Sequence, residues 1–262
     1  MAKTKINWAD KVWNPVTGCT PAGVGCQHCY ARRMWPRLAS MSPKYAGRAF
    51  GDVKCHTKVL GEPTHWRKPQ AVFVNSMGDL FHEEVPESFM RDVFTRMGMS
   101  NRHTYIVLTK RPERMRNFCI NAWGGCPENV VLGVSCSTQA EVDRMVPVLL
   151  GTPAAKRVVS LEPLVEPVSL RRGPATFDLD GVIVGGESGP GAREIQGSWV
   201  RDLRDECAGA RVPFHFKQWG DNVHPLDYEE PYGGVCAVYT HPHNGRMLDG
   251  RTHDELCWEV GS

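Results

Sequence analysis

No run of apolar residues in this 262-residue chain is long enough to cross a bilayer, and the opening Met-Ala-Lys-Thr-Lys-Ile-Asn-Trp lacks a signal-peptide core. The expectation is a cytoplasmic protein, in the host cytoplasm if phage-encoded, with no membrane partner. An excess of one charge is also missing. Lys and Arg number 31 against 29 Asp and Glu, a formal net of +2. That excludes a global polycation and leaves a local basic patch as the remaining electrostatic route to nucleic acid. Neither a P-loop nor Gly-x-Gly-x-x-Gly is present, because Gly185-Gly186-Glu187 fits neither spacing. No sequence repeat or long low-complexity tract appears. Cysteine is not scarce, at ten residues. In a reducing compartment the clustered ones read as metal ligands and the scattered ones as small buried hydrophobes.

The 41% apolar content is enough for one barrel-sized domain. Strand candidates recur at 71–74, 104–108, 130–134, 157–161, 181–184 and 212–216, with a weaker one near Lys11–Val16. All but the 212–216 run are short continuous apolar stretches, as expected of strands covered on both faces in a parallel sheet. Their starts lie roughly 25–33 residues apart, the length of a strand-plus-helix unit. Helical patterns fill gaps at 88–97 after Pro86, at 138–150 with Thr138 as cap, and at 198–207 with Ser198 as cap and Gly209 near the end. Seven units at most predict an α/β fold, a partial (β/α) barrel with mainly parallel strands, over residues 1–219. An insertion is expected near 40–69, and an irregular C-terminal extension over 220–262 packed on the barrel.

Each strand candidate runs into a polar residue: Asn75, Lys110, Ser135, Glu162, Glu187 and Lys217. Loops are polar, so any one of these is unremarkable. Six in succession, four of them charged, point to the carboxyl-end rim as the functional face, because charges gathered at one rim need partners or a ligand.

Three cysteines crowd the loop after the first strand: Cys19, Cys26 and Cys29. Three chemistries suit them. A structural zinc site would use Cys26-x-x-Cys29 with Cys19 or His28, its second half sought at Cys55-His56 or Cys119 and Cys126. A redox dithiol would use Cys26 and Cys29 alone. A [4Fe–4S] cluster on three thiolates would leave one iron open to a substrate.

On this loop the chain resembles the radical S-adenosylmethionine (SAM) superfamily, whose three-cysteine loop follows the first strand of a partial α/β barrel. Its usual spacing is Cys-x3-Cys-x2-Cys; here the first gap is six residues, and His28 stands where an aromatic residue is usual. Further stretches (Trp13–Cys19, Phe73–Phe81, Val107–Glu113, Ser160–Leu164, Val184–Gly191 and Phe216–Gly220) are similar to a three-cysteine group of phage-associated and bacterial proteins within that superfamily.

The resemblance implies an enzyme in which Cys19, Cys26 and Cys29 hold a [4Fe–4S] cluster. That cluster, reduced by an external electron donor of flavodoxin or ferredoxin type, cleaves SAM to methionine and a 5′-deoxyadenosyl radical. It also implies that Asn75, Ser76 and Asp79 lie where the SAM amino group is bound, with Asp79 the acceptor or, alternatively, a helix cap. Lys110 or Lys217 would face the SAM carboxylate or remain solvated. Ser135 and Glu162 would hold the ribose hydroxyls or the methionyl end. Glu187 would contact adenine, ribose or substrate, and Trp219 would stack on a flat substrate or belong to the core. A phage-like context makes a nucleobase in DNA, such as a hypermodified pyrimidine, the expected substrate. Positive charge at Arg32, Arg33, Arg37, Lys44, Arg48, Lys54, Lys58, Arg67 and Lys68 suits phosphates or a solvated surface equally. The alternative from another class is a zinc-stabilised nucleic-acid-binding protein without catalysis.

Overall fold

The computed structural model describes residues 4, 6–123, 126–171, 178–223 and 245–259. In chain order its elements are β1 (Lys11–Trp13), β2 (Val16–Thr17), α1 (Tyr30–Met41), β3 (Lys54–Cys55), β4 (Ala71–Val74), α2 (Glu87–Met99), β5 (Thr104–Thr109), α3 (Pro112–Phe118), β6 (Val130–Cys136), α4 (Gln139–Leu150), β7 (Lys156–Leu161), β8 (Gly181–Gly185), α5 (Gly197–Ala210), β9 (Phe214–Gln218), β10 (Met247–Leu248) and β11 (Arg251–Thr252). Seven strands form one parallel sheet in the order β1-β4-β5-β6-β7-β8-β9, curled into a half-barrel. The partial (β/α) barrel read from the strand spacing is the fold.

The period of two along each strand divides the core in two. Val72, Val74, Tyr105, Val107, Val130, Leu132, Val134, Val159 and Leu161 face outward into the layer shared with the helices. There α2 buries Phe89, Met90, Val93, Phe94 and Met97, a stripe at helical spacing. Ala71, Ile106, Val131, Val158 and Ile183 face inward, and Trp8 and Trp258 pack with them. Trp258 donates its indole N–H to Trp8 O at 2.9 Å, joining the two ends of the chain beneath the sheet. Continuing the inward register toward the carboxyl ends gives Asn75 after β4, Lys110 after β5, Ser135 and Ser137 on and after β6, Glu162 after β7 and Lys217 on β9.

Several local expectations change. The helix expected from Ser198 begins at Gly197 behind an extended Gln196, and Ser198 supplies no cap. Thr138 does cap α4, accepting from Glu141 N. The last strand starts at Phe214 rather than 212. Helices α1 and α3 carry no signal strong enough to anticipate: α1 holds Pro36 and buries only Ala31 and Trp35, and α3 is seven residues long with proline at its start. In the insertion near 40–69, β3 pairs antiparallel with β2. Of the extension expected over 220–262, residues 224–244 and 260–262 lie outside the described residues. Strands β10 and β11 form a short antiparallel pair, and the segment packs on β9 through Phe216 N to His253 O at 2.9 Å.

Candidate functional site

The strand-end residues meet as a belt inside the carboxyl-end mouth. Lys110 donates from Nζ to Ser135 Oγ at 2.7 Å and to Ser135 O at 3.0 Å. Ser135 Oγ reaches Glu162 O at 3.3 Å. Glu162 accepts from Ser160 Oγ at 3.0 Å and pairs with Lys217 Nζ at 2.8 Å. One carboxylate thus neutralises Lys217, while among the described residues Lys110 Nζ meets a hydroxyl and a carbonyl and no carboxylate. Gly133 lies below the belt. A Cβ there would stand 2.6 Å from Leu108 Cδ2 and 2.7 Å from Val158 Cγ2, so glycine is what fits between those inward side chains.

Asn75 turns the chain off β4 with φ 63°, a left-handed conformation that asparagine tolerates better than most residues. Its Oδ1 accepts from Val16 N at 3.0 Å, and its Nδ2 is buried with no hydrogen-bond partner among the described residues. Ser76 faces Asn14 Oδ1 at 3.2 Å. Asp79 is buried and well supplied with partners. Its carboxylate accepts from Thr109 Oγ1 at 2.8 Å, from Phe81 N at 2.9 Å and from Arg111 Nη1 at 3.2 Å. The geometry therefore gives Asp79 a turn-capping part and makes it the anchor of Arg111.

Arg111 carries the connection on to the cysteine loop. It donates to Thr20 O at 3.2 Å and Thr20 Oγ1 at 3.1 Å, and lies 3.8 Å from Cys19 Sγ. Glu141 holds the loop at its middle, accepting from Val24 N at 2.8 Å and from Ser137 N at 2.7 Å. Glu187 and Arg193 hold the far side. Arg193 donates to Glu187 at 2.7 Å and to Val24 O at 3.2 Å, and His28 Nδ1 lies 3.0 Å from Glu187. Burial would raise the Glu187 carboxyl, but the hydrogen bonds and charge of Arg193, with the bond to His28, hold it below the usual carboxylate range. Three clamps thus lay the long first gap of the loop, residues 20–25, across the mouth. Gly25 packs on Ser137, Pro163 and Lys110. Ser137 Oγ is fully buried there without a partner among the described residues.

Arg111, Glu141, Arg193 and Ser137 were not singled out from the sequence. Thr138-x-x-Glu141 does carry the pattern of a helix-capping box, but the Glu141 carboxylate turns to the loop instead. Trp219 belongs to the core, donating to Met247 O at 2.8 Å and packing 4.8 Å from the Phe216 ring. Cys119 and Cys126 pack in the outer core, and His56 bonds Thr17 Oγ1 at 2.8 Å.

Cys19, Cys26 and Cys29 carry free thiols. Cys26 lies in a short 3-10 turn, its sulfur facing Ala22 N at 3.5 Å, and Cys29 is the residue before α1. Burial, with the Asp79 charge adding to it and the nearby Arg111 guanidinium opposing it, pushes the Cys19 thiol up to about 12. Among the described residues, no three Cys, His, Asp or Glu side chains are gathered in metal-binding geometry. The donor set itself, three sulfurs with an N–H and a guanidinium turned toward two of them, suits a soft iron–sulfur centre better than a hard cation.

A groove of about 370 Å³ lies outside the mouth, along Gln139, Ser169, Arg171 and Glu206, and no strand-end residue lines it. No described helix is long and apolar enough to cross a membrane. No curated protein and no solved structure matches the chain. A family model does match, over residues 3–257, and on that match the chain belongs to the family described as protein of unknown function (DUF5131).

Proposed function

We propose that this protein is a radical SAM enzyme in which Cys19, Cys26 and Cys29 hold a [4Fe–4S] cluster. The observation that carries the reading is the placement of three free thiols on one loop clamped across the carboxyl-end mouth of a parallel half-barrel. In such a fold that mouth is where chemistry is assembled. When bound, the cluster would supply the electron that cleaves SAM to a 5′-deoxyadenosyl radical. The chain's own residues bind, orient and shield. Lys110, which has no carboxylate partner among the described residues, is suited to the SAM carboxylate, and Lys217 is already matched by Glu162. The orphaned Asn75 Nδ2 and Ser137 Oγ are buried polar atoms that a ligand would satisfy. Asp79 acts by holding Arg111 against the loop.

For substrate class we favour a nucleobase in DNA or a nucleotide. Support comes from the insertion, where Lys54, Lys58, Arg67 and Lys68 are exposed. Lys44 and Arg48 are instead engaged with Asn14 O and Thr17. The test is anaerobic reconstitution with iron and sulfide, then SAM and dithionite, followed by mass spectrometry of the products and of nucleosides from added DNA. Release of 5′-deoxyadenosine that disappears in Cys26→Ala supports the reading. A colourless protein that retains zinc and releases none overturns it in favour of a zinc-stabilised binding protein.

A further inference from the structure

Stacking on a flat substrate at the mouth needs an open ring, and Trp219, buried in the core, does not supply one. Among the described Phe, Trp and Tyr side chains, Tyr30 is the exposed one, at 44%. It follows Cys29 directly and opens α1. Its hydroxyl donates to Ser76 O at 2.5 Å, just past the carboxyl end of β4. That hydroxyl end is desolvated, and Cys29 and Glu162 are the charges that act on it. The open part of the residue is therefore its ring, which stands between the cysteine loop and the belt.

Two ties make this ring a fixed surface. One is the bond to Ser76 O. The other is Arg33, whose guanidinium packs on Gly189 in the loop after β8 and leaves no room there for a Cβ. The first turn of α1 is thus pinned to the ends of β4 and β8 on either side of the mouth. Met34, four residues on from Tyr30, is 45% exposed and prolongs the apolar surface along the same face.

We propose that the Tyr30 ring is the platform on which an unpaired nucleobase stacks at the entrance to the mouth, an inference that rests on the substrate class proposed above. Lys110, Ser135, Glu162 and Lys217 are half-buried inside the mouth, with the loop laid across it. A base within a duplex cannot reach them. It must leave its stack, and a site that takes such a base replaces the lost stacking with an aromatic or apolar surface. A ring held at both its hydroxyl and its backbone gives up little freedom when a base lies on it. Stacking accepts any base, so selection among bases falls to the polar groups of the belt. The unpaired base belongs either to a strand or to a free nucleotide.

The test uses the full-length, anaerobically reconstituted chain with a short thymine-rich single strand carrying one 5-iododeoxyuridine. Irradiation should crosslink that base to Tyr30, located by mass spectrometry, with SAM present or absent. Tyr30→Leu should weaken binding of the strand about tenfold, whereas Tyr30→Phe, which keeps the ring and loses the bond to Ser76 O, should change it no more than about twofold. The matching duplex should bind more weakly than the single strand. A crosslink at Tyr30 from 5-iododeoxyuridine monophosphate, with no binding of the strand, supports the platform and makes a free nucleotide the source of the base. Equal affinity of wild type and Tyr30→Leu overturns the proposal, as does tighter binding of the duplex. A crosslink that SAM abolishes also overturns it, because the ring then serves the cofactor. If Tyr30→Leu does not fold, the position of the crosslink in the wild type decides alone. A crosslink elsewhere overturns the platform and leaves the substrate class standing, while no binding of strand or monophosphate overturns both. Release of 5′-deoxyadenosine with dithionite decides the cluster reading separately.

Discussion

Glu141 is the clamp whose removal has the most calculable effect. Its carboxylate is buried and accepts from Val24 N and Ser137 N, one oxygen to each. In Glu141→Gln one oxygen becomes an NH2 group, so one backbone N–H faces a donor. If that is the buried Ser137 N–H, the unsatisfied group alone costs about 1–3 kcal/mol. Loss of a negative charge in the first turn of α4 adds about 0.3–1 kcal/mol. A total near 2–3 kcal/mol corresponds to a fall in melting temperature of roughly 4–10 °C for a chain of this size. The same substitution releases the middle of the cysteine loop, so amide exchange at Val24 and its neighbours should quicken more than exchange in the strands. Denaturant titration and hydrogen exchange read the two effects independently of any cofactor. A melting temperature within about 1 °C of wild type, with unchanged exchange across residues 20–26, would refute the claim that Glu141 fastens the loop.

Gly133→Ala places a methyl group between Leu108 and Val158 and should cost about 1–3 kcal/mol of overpacking, read as a lower denaturation midpoint. Asp79→Asn removes the buried charge opposite Arg111. The loss should be about 2 kcal/mol, below the 3–5 kcal/mol of a wholly orphaned ion, because Glu83 still pairs with Arg111 at 2.9 Å. If Asp79→Asn leaves the denaturation midpoint unchanged, the anchoring role is wrong. His215 is 1% exposed, and burial, with Arg246 adding to it, lowers its imidazole to about 4. The unfolded chain takes up this proton below pH ~6.5, whereas the folded chain resists until about 4. Stability should therefore fall with pH across that window, by up to ~3 kcal/mol from this residue. His215→Gln should flatten that part of the stability–pH curve, and an unaltered curve would contradict the assignment.

The strands were legible because burial on both faces leaves uninterrupted apolar runs, as in Ala71–Val74 and Val130–Val134, and such runs survive without knowledge of their partners. Their polar ends were legible for the same reason, and the structure brings four of the six, Lys110, Ser135, Glu162 and Lys217, into one belt. The clamps were not legible. Arg111 meets Thr20 across 91 positions, Glu141 meets Val24 across 117 and Arg193 meets Val24 across 169. Local sequence marks each only as a charged residue near a helix or loop. Helix α1 was hidden because so little of it is buried, the same property that leaves Met34 and Met41 at the surface. Asp79 illustrates a residue whose place was foreseen while its partners were not: Thr109 and Arg111 belong to another strand end, and only the curled sheet brings them together.

The central claim is that three thiolates carry an iron–sulfur centre with one iron open to SAM. The most direct measurement is the electron spin spectrum of the anaerobically reconstituted, dithionite-reduced protein before and after SAM is added. The account predicts a reduced [4Fe–4S] signal, about four irons per chain, that changes shape when SAM binds and is absent in Cys26→Ala. No cluster signal, or one that SAM leaves untouched, would contradict it.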